Sequence, residues 1–167
     1  MSTSKIILTS RDLRLVEDLT YHDDMDIALA SVLRQKLHAA TVVLPEDVPA
    51  DVVTLDSRVR YLVDGRPDER RLIASPSREF RGQTLLVNTP LGATLLGMRA
   101  GDVAAAVAFD GTPARVEVIS VLYQPELDRH RSHVARIDEA GSRIRTISSG
   151  RRPVSTPTWD DPGPSAA

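Results

Sequence analysis

The chain contains no cysteine, which removes disulfides, thiol nucleophiles and cysteine-ligated zinc from consideration. No apolar run approaches the roughly 18 residues needed to cross a bilayer. The opening MSTSKIILTSRD has only three consecutive apolar residues, Ile6 to Leu8. It does not read as a signal peptide, and a cytoplasmic protein without a membrane association is the expectation. Phosphate-binding glycine loops, dinucleotide fingerprints and nucleophile elbows are missing as well, so no catalytic residue, metal ligand or cofactor is assigned. Lysine occurs only at Lys5 and Lys36. An excess of positive charge is lacking too: the net charge over 167 residues is −2. Residues 1–50 carry eight acidic and five basic groups, and residues 51–124 carry nine of each. That balance does not suit a general nucleic-acid binder.

What is present divides the chain into three parts. KIILT (5–9) reads as a short strand, after which Ser10 is a cap for a helix with Asp12 in its first turn. Leu13, Leu15, Val16 and Leu19 make one apolar stripe, and Ile27, Ala30, Leu33, Leu37 and Ala40 make a second. Joined by the polar turn TYHDDMD, they predict an antiparallel helical hairpin, a short coiled coil of roughly 15 and 25 Å from helical rise. LPEDVPAD, with Pro45 and Pro49, breaks the pattern and marks a boundary. The rhythm then changes to β-rich runs at 52–63, 70–75, 84–88, 103–109 and 114–123, with turns at Asp64-Gly65 and Asp110-Gly111. Both faces of the later half of 114–123 are apolar, which predicts a central strand. The fold class is α+β, with domains at 1–47 and 48–128. Residues 129–167 form a basic tail, with a short helix around 130–140 broken at Gly141. The tail ends in the Pro/Ser/Asp-rich VSTPTWDDPGPSAA, a composition that predicts disorder.

NTPLGATLLGMRAGD (88–102) is the best-punctuated stretch. Thr89 suits an N-cap, Pro90 suits the first helical position, and Leu91, Leu95 and Leu96 supply a buried face. Gly97 and Gly101 supply the exit turns. A structural cap accounts for most of these residues.

The same stretch resembles the signature of the bacterial Gre/Rnk factors: Ser/Thr-Pro-hydrophobic-small, then Ala/Thr-Leu-Leu/Ile-Gly, then Gly-Asp. LPEDVPADVVTLDSRVRY and VEVISVLYQPE are similar to the interdomain stretch and final strand of the Rnk branch. The resemblance covers about residues 44–126. It implies an N-terminal coiled coil followed by an FKBP-like domain, with an antiparallel sheet around one short helix. It further implies docking at the secondary-channel rim of RNA polymerase through Asn88, Thr89, Pro90, Leu91 and Gly92. The implied function is a monomeric, non-enzymatic regulator of transcription, competing with Gre factors and inhibiting synthesis.

Gre factors place acidic residues at the coiled-coil tip to help hold magnesium for RNA cleavage, and Asp23, Asp24 and Asp26 occupy the tip here. Helix capping explains such acids equally well. A projection this short would leave the carboxylates outside a metal site that tolerates little misplacement, so no cleavage activity is expected. Two alternatives come from other classes. One is a peptidyl-prolyl isomerase, for which residues 51–124 offer only the aromatics Tyr61, Phe80, Phe109 and Tyr123. The other is an adaptor of a nucleoside diphosphate kinase, as the branch name suggests. His130 and His133 read as solvated, and Arg58, Arg60, Arg70, Arg71, Arg78, Arg81 and Arg99 as solvent-facing. The Arg-rich tail offers a weak contact to nucleic acid.

Overall fold

The computed structural model describes residues 5–21, 25–76 and 83–148. Residues 1–132 form one compact unit and 133–167 a second.

The first unit opens with β1 (Ile7–Thr9), which feeds directly into α1 (Ser10–Thr20). The N-cap is Thr9, one residue earlier than expected, and its hydroxyl accepts a hydrogen bond from the Asp12 amide. After Tyr21 the described chain resumes at Met25, and Asp26 caps α2 (Ile27–Ala39). At 1.5 Å per residue the helices are about 16 and 20 Å long. They pack on each other, and β2 (Thr41–Val43) then returns to lie parallel to β1. The stripes point inward as their spacing demands: Val16, Ala30 and Leu33 are buried, with Leu13, Leu19, Leu29 and Leu37 packed against them. Ile27 is the exception at 87% exposed. As the first residue of α2, it lies beyond the turn that the core covers.

β3 (Arg58–Val63) and β4 (Arg66–Ile73) form a hairpin across Asp64-Gly65, both at positive φ. This is the backbone that a tight two-residue turn needs. β5 (Thr84–Leu86) lies parallel to β4. After α3 (Pro90–Leu95), β6 (Val103–Val107) and β7 (Pro113–Tyr123) complete a five-stranded sheet ordered β5-β4-β3-β7-β6. β7 is interior to the sheet, but its later half is not covered on both faces. Its pairing with β3 shifts register twice, leaving Ile119 and Leu122 without direct partners and largely exposed. Each bulge adds a residue and sharpens the local twist, so the sheet curls.

Residues 52–57, expected as part of a strand, instead form a strap. Val53 N–H bonds to Met98 O, Gly97 N–H to Val53 O, and Ile7 N–H to Gly97 O. The exit of α3 is thereby stitched to both the strap and the N-terminal strand. Leu8, Val16 and Leu33 share one core with Val53, Tyr61, Leu91, Leu95, Val116 and Val118.

α4 (Pro125–Ser148) starts in the first unit, and its later residues are the described part of the second. The helix runs through Gly141, where the sequence suggested a break. A single interior glycine costs only about 1 kcal/mol relative to alanine. Residues 149–167 lie outside the described residues. Among the described residues, no helix is long and apolar enough to cross a membrane.

Candidate docking site

The entrance of α3 is built by a cap that works in two directions. Thr89 Oγ1 accepts from Gly92 N–H (3.2 Å) and donates to Leu86 O (2.7 Å), tying the helix start to the end of β5. Pro90 follows at a position where no N–H is required. Gly92 is needed for close approach: a Cβ there would be driven into Leu86 O and would sit 2.8 Å from that residue's carbonyl carbon.

These constraints divide the five candidate residues. Asn88 and Pro90 are exposed, Thr89 is half-buried, and Leu91 and Gly92 are buried. Leu91, at 1% exposure, belongs to the core. It follows an exposed N1 proline and so turns toward the apolar interior, as the helical stripe requires. A partner could therefore touch Asn88, Thr89 and Pro90, whereas Leu91 and Gly92 act by holding the helix against the sheet.

Beside Pro90 lies a groove of about 420 Å³. Leu29 and Val32 of α2, Pro90 and Thr94 of α3, and Ala106 and Val107 of β6 line it, with Asp26 at its margin. The lining is aliphatic and Val32 is exposed. Lys36 fastens α2 to α3, donating to the carbonyls of Ala93 (2.6 Å) and Thr94 (2.5 Å). Burial of the ammonium pulls its pKa down to about 7. The two carbonyl acceptors at a helix C-terminus favour the charged form and oppose that fall.

Of the hairpin-tip acids, Asp23 and Asp24 lie outside the described residues. Asp26 is exposed, and its carboxylate accepts from Leu29 N–H (3.0 Å), the capping role. His130 and His133 are exposed on α4. Among the described residues, no cluster of three His, Asp or Glu could hold a metal ion.

Several of the arginines read as solvent-facing have partners within the fold. Arg58 and Arg60 bracket Glu69, Arg70 pairs with Asp68 and Arg99 with Asp51. Arg78 and Arg81 lie outside the described residues, as does Phe80. The remaining aromatics do not converge on one pocket. Tyr61 is buried and donates to Asp68, Arg70 stacks on the exposed Phe109, and Arg71 on Tyr123.

A second polar centre gave only faint signals in the sequence. Asp12, expected to face the helix dipole, is fully buried, and its Oδ2 accepts from Leu55 N–H (3.3 Å). Burial first, and the neighbouring Glu126 second, push its pKa up to about 7. Glu126 is itself buried and accepts from the Thr54 hydroxyl (2.8 Å). Arg11 reaches both Asp56 (3.1 Å) and Glu126 (3.7 Å). Gln124 Nε2 donates to the carbonyls of Pro49 and Val52, each at 2.9 Å. The Tyr-Gln-Pro-Glu stretch that leads from β7 into α4 therefore holds the strap in place, through Gln124 and Glu126. Its only sequence signal was the recurrence of those four residues in the family resemblance.

Comparison with known proteins agrees with this architecture. Residues 48–123 match the C-terminal domain of the transcription elongation factor GreA/GreB family. The Regulator of nucleoside diphosphate kinase of Escherichia coli (strain K12) is 33% identical over 129 residues, covering 75% of this chain and 95% of that protein. The protein of the same name in Shigella flexneri matches to the same extent. A solved structure of the prokaryotic transcription elongation factor GreA/GreB from Nitrosomonas europaea aligns with a TM-score of 0.58 and 29% identity, covering 71% of this chain and 98% of that one. On this identity, extending over almost the whole of its relatives, the chain belongs to the Gre/Rnk family of transcription regulators.

Proposed function

We propose that this chain binds RNA polymerase at the rim of the secondary channel, competes there with Gre factors and restrains transcription without stimulating transcript cleavage. In this reading it acts in the cytoplasm as a monomer. Residues 48–128 serve as an FKBP-like docking domain, and residues 1–47 as an antiparallel coiled coil directed into the channel.

The observation that carries the reading is the exposed Asn88–Pro90 corner. It stands on a helix held rigidly by the Thr89 cap and the Gly92 contact. A partner meets such a corner with little ordering cost, which favours binding. The absence of cleavage rests on reach. Helices of about 16 and 20 Å form a stunted projection, and the Asp26 carboxylate is engaged as a cap. The name of the Escherichia coli relative leaves a kinase adaptor as the competing reading. No residue described above favours it.

The test is co-purification of the full chain with core polymerase, followed by competition with a Gre protein. Pro90→Asp should reduce retention at least tenfold while leaving the fold intact. Equal retention of the variant, or failure of a Gre protein to displace the wild type, would remove the proposed interface. Stalled elongation complexes should show no added cleavage. Cleavage that vanished in Asp23→Ala and Asp24→Ala would show that the projection reaches the active site.

A further inference from the structure

The edge of the sheet at β6 is open. β6 pairs with β7 on one side, and among the described residues nothing pairs with the other. The register identifies the unused groups. Val118 N–H bonds to Asp102 O and Ala108 N–H to Thr112 O, and the pairs 102–118 and 108–112 lie on the same diagonal as 104–116 and 106–114. Even-numbered residues therefore direct their backbone groups at β7. Alternation then turns the N–H and C=O of Val103, Ala105 and Val107 outward.

Natural sheets blunt such edges with charge, proline, a bulge or very short length. The opposite edge, β5, has only three residues. β6 has five, Val-Ala-Ala-Ala-Val, with no charge or proline and an unshifted register. Two grooves between them touch all five of its residues. The groove at α2 and α3 meets Ala105 to Val107, and a second, of about 460 Å³, meets Val103 to Ala105 beside Asp64, Pro113 and Arg115.

We infer that β6 receives an extended apolar segment of a partner protein as a sixth strand, with basic residues flanking that segment. Backbone pairing supplies affinity and the two grooves take alternate side chains, as in other strand-addition complexes. Charge selects the partner. The exposed Asp26 and Asp64 stand one at each groove, and the exposed Asp110 lies beyond the end of β6. Arg115 is the one cation lining either groove among the described residues. A second copy of the chain would bring acids against acids, whereas arginine or lysine at the ends of a partner strand would meet them favourably.

The inference does not depend on polymerase docking, and its test contains no polymerase. The full, isotope-labelled chain is titrated with an acetylated, amidated peptide of alternating valine and threonine carrying two arginines at each end. Amide shifts centred on Val103 to Val107, and at least tenfold slower hydrogen exchange at Val103, Ala105 and Val107, are expected. Both should disappear for the peptide N-methylated at alternate residues, and for Ala105→Pro, which deletes an outward donor and leaves the β7 ladder intact. Unchanged melting of Ala105→Pro shows that it is folded, and the N-methylated peptide tests the same contact on the wild type. Equal binding by an aspartate-flanked peptide, or protection that survives N-methylation, would overturn the inference. So would protection that grows with protein concentration alone, because the occupant would then be a second copy.

Discussion

Two threonine caps in this molecule follow the same local rule and come to opposite ends. Thr9 and Thr89 each accept a hydrogen bond from the amide three residues on, Asp12 and Gly92. At α3 the capped turn lies at the surface and presents Pro90. At α1 it is enclosed by the strap and the start of α4, so the Asp12 carboxylate is buried beside Glu126. A cap is fixed by four or five neighbouring residues. Whether its carboxylate or proline meets water is fixed by chain forty or a hundred residues away.

The largest effect expected from disturbing this pair is at Gly92. Gly92→Ala forces a methyl group into the Leu86 carbonyl, where backbone must move. A loss of about 3–5 kcal/mol is expected, seen as a large fall in melting temperature. A change under about 1 kcal/mol would mean that α3 can slide on β5 and that its entrance is not rigid.

Asp12 sharpens the contrast through pH. Its folded pKa is raised from 3.8 to about 7, so the native state holds a proton that the unfolded chain has released. Its contribution is complete below about pH 4 and is lost as pH rises to 7. Asp12→Asn should therefore match the wild type near pH 4 and exceed it by about 1–3 kcal/mol above pH 7. Denaturant titrations across that range would show the two curves diverging. Parallel curves would mean that the carboxyl is ionised throughout.

Smaller differences separate the caps themselves. Thr9→Ala, at a fully buried site, should cost about 2 kcal/mol, and Thr89→Ala about 1. Reversal of that order in chemical denaturation would mean that burial does not strengthen the first cap. Pro90→Asp should change stability by less than about 0.5 kcal/mol, since an acid is favourable in a first helical turn. It is the variant of choice for separating docking from folding.

Local patterns read from the sequence alone determined the two amphipathic helices, the Asp64-Gly65 turn, the α3 cap and the α+β class. Each depends on periodicity or on a turn residue acting within one or two turns of chain. The family resemblance was likewise carried by contiguous stretches. Tertiary structure decided everything set by partners distant in sequence. Through two bulges it exposed Ile119 and Leu122, which a central strand covered on both faces would have buried. It made residues 52–57 a strap rather than a strand. Burial of Asp12 belongs to the same group: a carboxylate in a first turn reads as solvated until Leu55, Thr54 and Glu126 are brought to it. Desolvation depends on what surrounds a group in space, and that is not written in its neighbours along the chain.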